Sequence, residues 1–200
     1  AEYNKGMEKQ WYLKDQKLES VWGNEKYGNT AGEGVVVAVI DTGVDYNHED
    51  LQDNIWTNSA EVSGQKGTDD DNNGYVDDVH GINLIDPNET PMDDHGHGTH
   101  VAGIIAMENN NVGGVGIAYK SKIMPIKAGG SDGTLNSTDI AKAIVYAYKN
   151  GADVINMSFG SYAHSALIEN ALQDAFNSCV LVAAAGNDGI PTADCPLGGQ

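Results

Sequence analysis

The chain is poor in cysteine and in long apolar stretches, and each scarcity excludes a class of protein. Two cysteines in 200 residues do not imply a disulfide framework. They leave two readings open, a single disulfide between Cys179 and Cys195 or a buried free thiol at Cys179. No uninterrupted stretch of 18 apolar residues occurs, so the sequence predicts no transmembrane helix.

Positive charge is also scarce. Eleven Lys and Arg face 29 Asp and Glu, which gives a net charge of −18 at pH 7. Nucleic acids and anionic membranes are bound through positive side chains, so neither is expected as a partner. The acidity has two ordinary explanations: a highly solvated surface, or carboxylates that hold hard cations such as calcium.

What the sequence does contain is a regular alternation of strands and helices. The run "VVVAVID" (35–41) is apolar up to its last residue, which is typical of a strand buried on both faces. Further strands are predicted at 122–127, 153–160 and 179–187, and helices at 98–107, 137–152 and 165–178. This alternation predicts an α/β fold, a parallel doubly wound sheet with helices on both faces. Chemistry collects at the carboxyl ends of such strands, where Asp41, Lys127, Ser158 and Asn187 lie.

One acid and three histidines are the first candidates for chemistry. Asp41 ends the buried strand, where it either caps the following turn or holds a histidine in one tautomer. The stretch "DDHGHGTHVAG" (93–103) carries His95, His97 and His100. A metal cluster, structural histidines and a catalytic base are all open readings, although no H-E-x-x-H pair follows. The glycines that flank His97 and the small-residue helix after it favour a base at the exposed mouth of that helix.

Four motifs follow one another along the chain: "VAVIDTGVD", "HGTHVAG", "VINMSFGS" and "VLVAAAGNDG". In this order and approximate spacing they resemble the subtilisin-like serine proteases, over about residues 11–188. The resemblance implies that Asp41 is the triad acid and that His97 is the general base. It also implies that His100 packs on the buried face of the following helix, and it leaves His95 outside the motif.

Substrate contacts are implied by the same resemblance. Asn187 resembles the oxyanion-hole asparagine, whose side-chain amide would stabilise the developing alkoxide; an asparagine in an ordinary turn is the alternative. The segments 158–160 and 131–135 resemble two strands between which a polypeptide substrate is added as a β-strand. The substrate-binding positions implied in this way are Ser158, Phe159, Gly160, Gly133 and Thr134. Phe159 either borders the pockets or serves in packing alone.

The acidic segment "DDDNNGYVDD" (69–78) has the spacing of a calcium loop. Oxygen ligands at positions 1, 3 and 5, a glycine at 6 and a carbonyl at 7 match that pattern, but position 12 is His80, so this is not an EF-hand. It resembles the calcium loop inserted in many members of the family, and a merely solvated loop is the competing interpretation. The implied ligands are Asp69, Asp71, Asn73, the Tyr75 carbonyl and Asp78, with Asp77 as the alternative to Asp78.

A second calcium site is implied by the family resemblance alone. Asp50 matches a ligand shortly after the triad acid, and "ENNNVGG" (108–114) matches a loop of asparagine and carbonyl ligands. The loop ligands would be the Asn110 side chain and the carbonyls of Glu108, Val112 and Gly114. The ligand that should come from the N-terminal residues cannot be located in the sequence.

The nucleophile of a serine protease does not occur in this sequence. The family's Gly-Thr-Ser-Met-Ala motif is absent, and Ser131, Ser158 and Ser161 lack its context. We therefore expect residues 1–200 to form the N-terminal portion of one catalytic domain, with an incomplete sheet and no second domain. Three explanations are open: an enzyme nicked after Gln200, a truncated recombinant chain, and a non-enzymatic relative. The first is favoured because "PLGGQ" suits an exposed cleavage loop.

The sequence thus predicts the N-terminal part of a secreted, calcium-stabilised serine endopeptidase that acts on polypeptides through an Asp-His-Ser triad. The serine would lie beyond residue 200, and a C-terminal fragment of the same precursor is the expected partner. A propeptide or a protein inhibitor is a further expected partner, in keeping with a zymogen. The alternative from a different class is a catalytically inactive, calcium-binding interaction module.

Overall fold

A parallel five-stranded sheet forms the centre of the molecule. The computed structural model describes residues 9–24, 26, 30–161 and 163–189. In sheet order β2-β3-β1-β4-β5, the strands are β1 (Val36–Asp41), β2 (Ile82–Asn83), β3 (Lys122–Lys127), β4 (Val154–Met157) and β5 (Val180–Ala183). The helices are α1 (Trp11–Asp15), α2 (Ser59–Ser63), α3 (His97–Ala106), α4 (Ser137–Lys149) and α5 (Ala166–Ala175).

Alternate residues of the central strand face opposite layers of helices. Val37 and Val39 of β1 belong to a core cluster with residues of α3. Ala38 and Ile40, which point to the other side because strand side chains alternate, belong to a cluster with residues of α4 and α5. The predicted parallel sheet with helices on both faces is therefore confirmed.

Helix boundaries follow local signals in the sequence. The side chain of Asn136 accepts a hydrogen bond from the N–H of Asp139 at the start of α4 (2.9 Å), which is N-cap geometry. Ser165 caps α5 in the same way, through the N–H of Ile168. Among the described residues, none of the helices is long and apolar enough to cross a membrane.

Two predicted strands are shorter than their apolar runs. β4 ends at Met157 and β5 at Ala183, whereas the sequence predicts strands to residues 160 and 187. Met157 is the last residue of β4 in register with both neighbours, opposite Ile40 and Ala183. The pairing of β4 with β1 ends at Ile40 and its pairing with β5 ends at Ala183, so residues 158–160 lie beyond both ladders. The sequence also gave no signal for α2 and β2, which interrupt the polar segment 49–95.

β5 is an edge of the sheet among the described residues, and its side chains are exposed except that of Leu181, which packs against the α4–α5 core cluster. Val180 and Val182 are 62% and 44% exposed, and Phe176, just before the strand, is 72% exposed. Cys179 is buried and its thiol donates to the carbonyl of Ala152 (2.9 Å). Cys195 lies outside the described residues, so a disulfide between Cys179 and Cys195 stays a prediction.

Candidate active site

The carboxyl end of β1 and the first residue of α3 bring an acid and a histidine together. His97 Nδ1 lies 2.7 Å from Asp41 Oδ1, and the two side chains are 45% and 3% exposed. An ionised carboxylate only accepts hydrogen bonds, so the ring proton lies on Nδ1 and Nε2 is the free acceptor. The arrangement holds an imidazole ready to take a proton from another group.

Two glycines allow the helix to approach the acid so closely. A Cβ on Gly98 would overlap the carbonyl oxygen of Gly43 and would lie 3.0 Å from Asp41 Cβ. Gly43 has φ +106, and a Cβ there would lie 2.7 Å from the carbonyl oxygen of Pro91. A side chain at Gly98 would push α3 away from the end of β1 and separate His97 from Asp41, and one at Gly43 would displace the backbone of residues 91–93, which lead into α3.

Asp93 organises the loop that leads into His97. Its carboxylate accepts the N–H groups of His95, Gly96 and Thr99 and the hydroxyls of Thr42 and Thr99, at 2.6–3.0 Å. Burial is the largest single influence and acts to raise the pKa of Asp93, but the bonds from Thr99, Gly96 and His95 together outweigh it and hold the pKa at about 2. Sequence reasoning missed this residue, although an acid just before a helix start is a recognised capping signal.

A buried lysine lies beside the acid–histidine pair. Lys127, the last residue of β3, is 4% exposed. Its ammonium group donates to the carbonyls of Thr42 (2.6 Å) and Gly129 (3.1 Å) and to Asp94 Oδ1 (2.6 Å). The sequence places Lys127 at the functional edge of the sheet but assigns it no role.

The neighbouring histidines lie on an open concave surface beside His97. A cavity of about 550 Å³ is lined by His95, His100 and His48 among others, and the ring of His95 stands edge-on to that of His97 with centroids 6.4 Å apart. The expectation that His100 packs on the buried face of α3 is wrong, because it is exposed. The buried positions of α3 are 98, 102, 103 and 106, and at 100° per residue position 100 falls on the other side.

The predicted oxyanion and substrate residues at the ends of β4 and β5 are more exposed than Asp41. Asn187 is exposed and makes no hydrogen bond or ion pair within the part of the chain that the structure describes. Ser158 accepts a hydrogen bond from the Asn156 amide (2.8 Å), and Phe159 is half-buried against the α4–α5 core cluster. Gly160 is exposed. Their roles in binding substrate stay predictions.

Residues 131–133 form a turn where a strand is predicted, and Leu135 makes an isolated antiparallel bridge with Gly129. Gly130 and Thr134 are joined by a main-chain hydrogen bond (3.1 Å), and Gly133 donates back to Gly130 (2.9 Å). The N–H and hydroxyl of Thr134 both donate to Asp132 Oδ1. Gly133 has φ +76, a backbone conformation that closes turns rather than extends strands. Gly133 nevertheless lies against His95, so the turn borders the side of the sheet that carries Asp41 and His97.

The acidic loop 69–78 gathers three carboxylates, one of which the sequence did not indicate. Single oxygens of Glu61, Asp71 and Asp78 lie within 4.8 Å of one another. Glu61 is buried in α2 and accepts the N–H groups of Asp70 and Asp77. The amides of Asn58 and Asn73 bridge Asp71 and Asp78.

The remaining predicted ligands of this loop shape its backbone. Asp69 accepts the N–H groups of Asn73 and Gly74 with its two oxygens, and so lies outside the group of three carboxylates. Asp77 instead accepts the N–H of Gly67, which favours Asp78 as the closing acid. Burial, followed by the charge of Asp78, raises the pKa of Tyr75.

The second predicted calcium site contains a buried oxygen without a partner. Asp50 is 2% exposed, and its Oδ1 has no hydrogen-bond partner among the described residues. Burial raises the pKa of this carboxyl, although the Gly114 N–H, 3.3 Å from Oδ2, acts in the opposite direction. Glu108 is also buried, and Asn110 Oδ1 accepts the N–H of Val112 (2.9 Å).

Among the described N-terminal residues, Gln10 contacts the end of this loop. Its side-chain amide accepts the N–H of Val115 and donates to the same residue's carbonyl, both at 2.9 Å, beside Gly114. No sequence signal identifies Gln10, since it lies 105 residues from its partner. The contact exists because α1 packs its buried residue Leu13 with Val115.

Comparison with known proteins identifies the family. Residues 32–198, most of the chain, match the Subtilase family. An acid at the end of a central parallel strand, bonded to a histidine that opens a helix, lies within that match. The chain therefore belongs to the subtilase family, the subtilisin-like serine proteases.

The chain spans only part of the length of each relative it matches. Subtilisin-like protease 1 of Plasmodium falciparum (isolate 3D7) is 44% identical over 68% of this chain and 20% of its own length. The thermophilic serine proteinase of Bacillus sp. (strain AK1) is 40% identical over 80% of this chain and 34% of its own. The structure of sphericase matches with a TM-score of 0.63 and 30% identity, over 87% of this chain and 53% of that chain.

Proposed function

We propose that this chain is the acid–base half of a serine endopeptidase whose nucleophile lies on a segment beyond residue 200. The observation that carries the proposal is the 2.7 Å contact between His97 Nδ1 and Asp41 Oδ1 in a subtilase chain. Nε2 of His97 takes the proton of the serine hydroxyl as it attacks the scissile carbonyl, and later gives that proton to the leaving amine. Asp41 keeps the ring in the required tautomer and stabilises the imidazolium.

Asn187 completes the chemistry on the other side of the substrate. Its amide N–H donates to the oxygen that becomes negative in the tetrahedral intermediate. Its exposure and its lack of a partner in the described residues leave that amide available. Ser158, Phe159 and Gly160 on one side, and Gly133 and Thr134 on the other, hold the polypeptide main chain.

The serine-bearing segment pairs with the outer edge of β5, which has no neighbouring strand in the described part of the chain. Val180 and Val182 are apolar and exposed on that strand, and an open parallel edge is a site for adding another strand. The partner is a C-terminal fragment of the same precursor, and a propeptide or protein inhibitor occupies the substrate groove before activation. The relatives above extend well beyond the part that this chain covers, which supports the proposal.

Calcium stabilises this chain at two positions. The buried, unpartnered Oδ1 of Asp50 fits a cation ligand, and Asn110 with the carbonyls of Glu108, Val112 and Gly114 supplies further oxygens of the kind calcium prefers. In the acidic loop, the clustered oxygens of Glu61, Asp71 and Asp78 fit a second ion once the bridging amides turn their oxygens inward. Bound calcium neutralises these carboxylates; it takes no part in the proton transfers.

Secretion belongs to the same proposal. Calcium sites of extracellular modules bind the ion at roughly 10⁻⁴–10⁻³ M, concentrations that are met outside cells. A net charge of −18 keeps such a protein soluble there.

Labelling with a serine-directed fluorophosphonate tests the catalytic proposal. The protein purified from its natural source should react, and separation of the polypeptides should locate the label on a segment other than residues 1–200. Mutation of His97 to Ala should abolish the labelling. If no polypeptide reacts, the endopeptidase proposal fails and the calcium-binding interaction module takes its place.

A further inference from the structure

We infer that Lys127 is a positioning residue that holds Asp41 and His97 in register by tying the turn after Asp41 to the loop before His97. The inference deepens the proposed function, on which its kinetic test rests. It concerns a buried side chain outside the triad and outside the predicted calcium sites.

All three ammonium hydrogens of Lys127 have acceptors, and these come from different segments. Thr42 belongs to the turn after β1, Gly129 to the turn after β3, and Asp94 to the loop before α3. Lysine has three donors and no acceptor, so one side chain ties all three segments at the carboxyl edge of the sheet.

Stability by itself does not call for a lysine at this position. Removing an ammonium group from water is costly, and well-packed apolar residues often replace buried ion pairs without loss of stability. The side chain of Lys127 is 5% exposed and that of Asp94, its carboxylate partner among the described residues, is 52% exposed. Because an apolar side chain could fill the same space, the need for directed hydrogen bonds explains the lysine better than packing does.

The bond to Thr42 acts directly on the acid. The N–H of Thr42 donates to Asp41 Oδ1 (2.7 Å), the same oxygen that His97 contacts. The hydroxyl of Thr42 accepts the N–H of Gly98 (3.0 Å). Holding the Thr42 carbonyl therefore restrains the residue whose N–H, in the preceding peptide, orients the Asp41 carboxylate and whose hydroxyl meets the helix of the base.

The bond to Asp94 acts on the base. Asp94 lies three residues before His97, in the loop that Asp93 folds into the start of α3. Lys127 thus holds the acid through one bond and the base through another. A misplacement of about 1 Å costs on the order of 10²-fold in rate, which sets the scale of the effect expected when these bonds are lost.

Lys127→Met in the full-length protein that contains this chain tests the inference, with Lys127→Arg and Lys122→Met beside it. Lys122 begins the strand that Lys127 ends, and its ammonium group likewise donates to a main-chain carbonyl, that of Asp53. Lys122→Met therefore removes a comparable lysine far from the functional edge. We expect Lys127→Met to lower kcat by about 10- to 100-fold with KM within about twofold, Lys127→Arg to recover most of kcat, and Lys122→Met to leave kcat unchanged.

A spectroscopic measurement separates this inference from the proposed function. The proton that His97 shares with Asp41 should give a separate low-field NMR resonance, which Lys127→Met should broaden or remove and Lys122→Met should retain. Asp94→Asn, at an exposed position that tolerates change, should lower kcat by a few-fold with the same KM. An unchanged kcat and an unchanged resonance in Lys127→Met would overturn the inference, as would a loss confined to KM. If the parental protein shows the resonance but never reacts with fluorophosphonate, the proposed function fails. The positioning role is then decided by whether Lys127→Met changes the resonance.

Discussion

The predicted site has two halves, the acid–base pair of Asp41 and His97 and the oxyanion residue Asn187. They differ in how many neighbouring groups hold their side chains. Asp41 ends a strand with neighbours on both edges and a helix packed against it, and it contacts both His97 and Thr42. Asn187 follows an edge strand and is exposed. A catalytic side chain is held in place only where packed elements surround it, so the two halves should respond differently to mutation.

The largest effect is expected from Asp41→Asn. The amide disfavours the Nδ1–H tautomer of His97, so kcat should fall by about 10⁴-fold, the scale of the corresponding change in a Ser-His-Asp triad. Steady-state kinetics on the full-length protein measures this, with exposed Asp86→Asn as the control for loss of one negative charge. A fall of less than about tenfold would contradict the role of Asp41.

Asn187→Ala should have the next largest effect and should leave stability unchanged. Loss of one oxyanion donor lowers kcat by about 10²–10³-fold, while the melting temperature should hold because the side chain has no hydrogen bond in the described residues. Asn177→Ala, also exposed and close to β5, is the matched control. A lower melting temperature with normal kcat would make Asn187 an ordinary turn residue.

Chelation of calcium should weaken the acid–base half more than the oxyanion half. An ion present at about 100 times its Kd contributes about 2.7 kcal/mol, so the melting temperature should fall by several degrees. Hydrogen exchange should rise around Asp50 and residues 108–114 and stay nearly constant in β4. Asp50→Asn should reduce the response to chelator and Asp86→Asn should not. If hydrogen exchange rises equally in residues 108–114 and in β4, calcium does not distinguish the two halves.

The smallest effect concerns acid pH and the loop before His97. The pKa of Asp93 is lowered from its ordinary 3.8 to about 2, so its contribution to stability is complete above pH 4 and is lost as pH falls towards 2. Because the carboxylate is partly solvated, that contribution is about 1 kcal/mol. The stability advantage of the parental protein over Asp93→Asn, measured by denaturant unfolding, should shrink between pH 4 and pH 2. If this stability difference does not change with pH, the charge of Asp93 does not contribute to stability.

Sequence reasoning located features whose signals lie close together along the chain. The bounds predicted for β3 match the structure, and α4 begins at the predicted residue, because apolar periodicity and capping are local. The residues that the site adds, Glu61, Asp93 and Lys127, gave weaker signals. Glu61 is ordinary in a short helix, and Lys127 ends a strand like many exposed lysines.

The sequence by itself determined the alternation of strands and helices, the family, and the candidate roles of Asp41 and His97. Only the tertiary structure decided that His100 faces outward, that Gln10 reaches the loop at Val115, and that Lys127 joins three segments at one edge of the sheet. The physical reason is that periodicity and motifs are properties of neighbouring residues. The contacts of Gln10 and Lys127 span 105 and 85 residues, and they exist only once the sheet order brings distant strand ends to one edge.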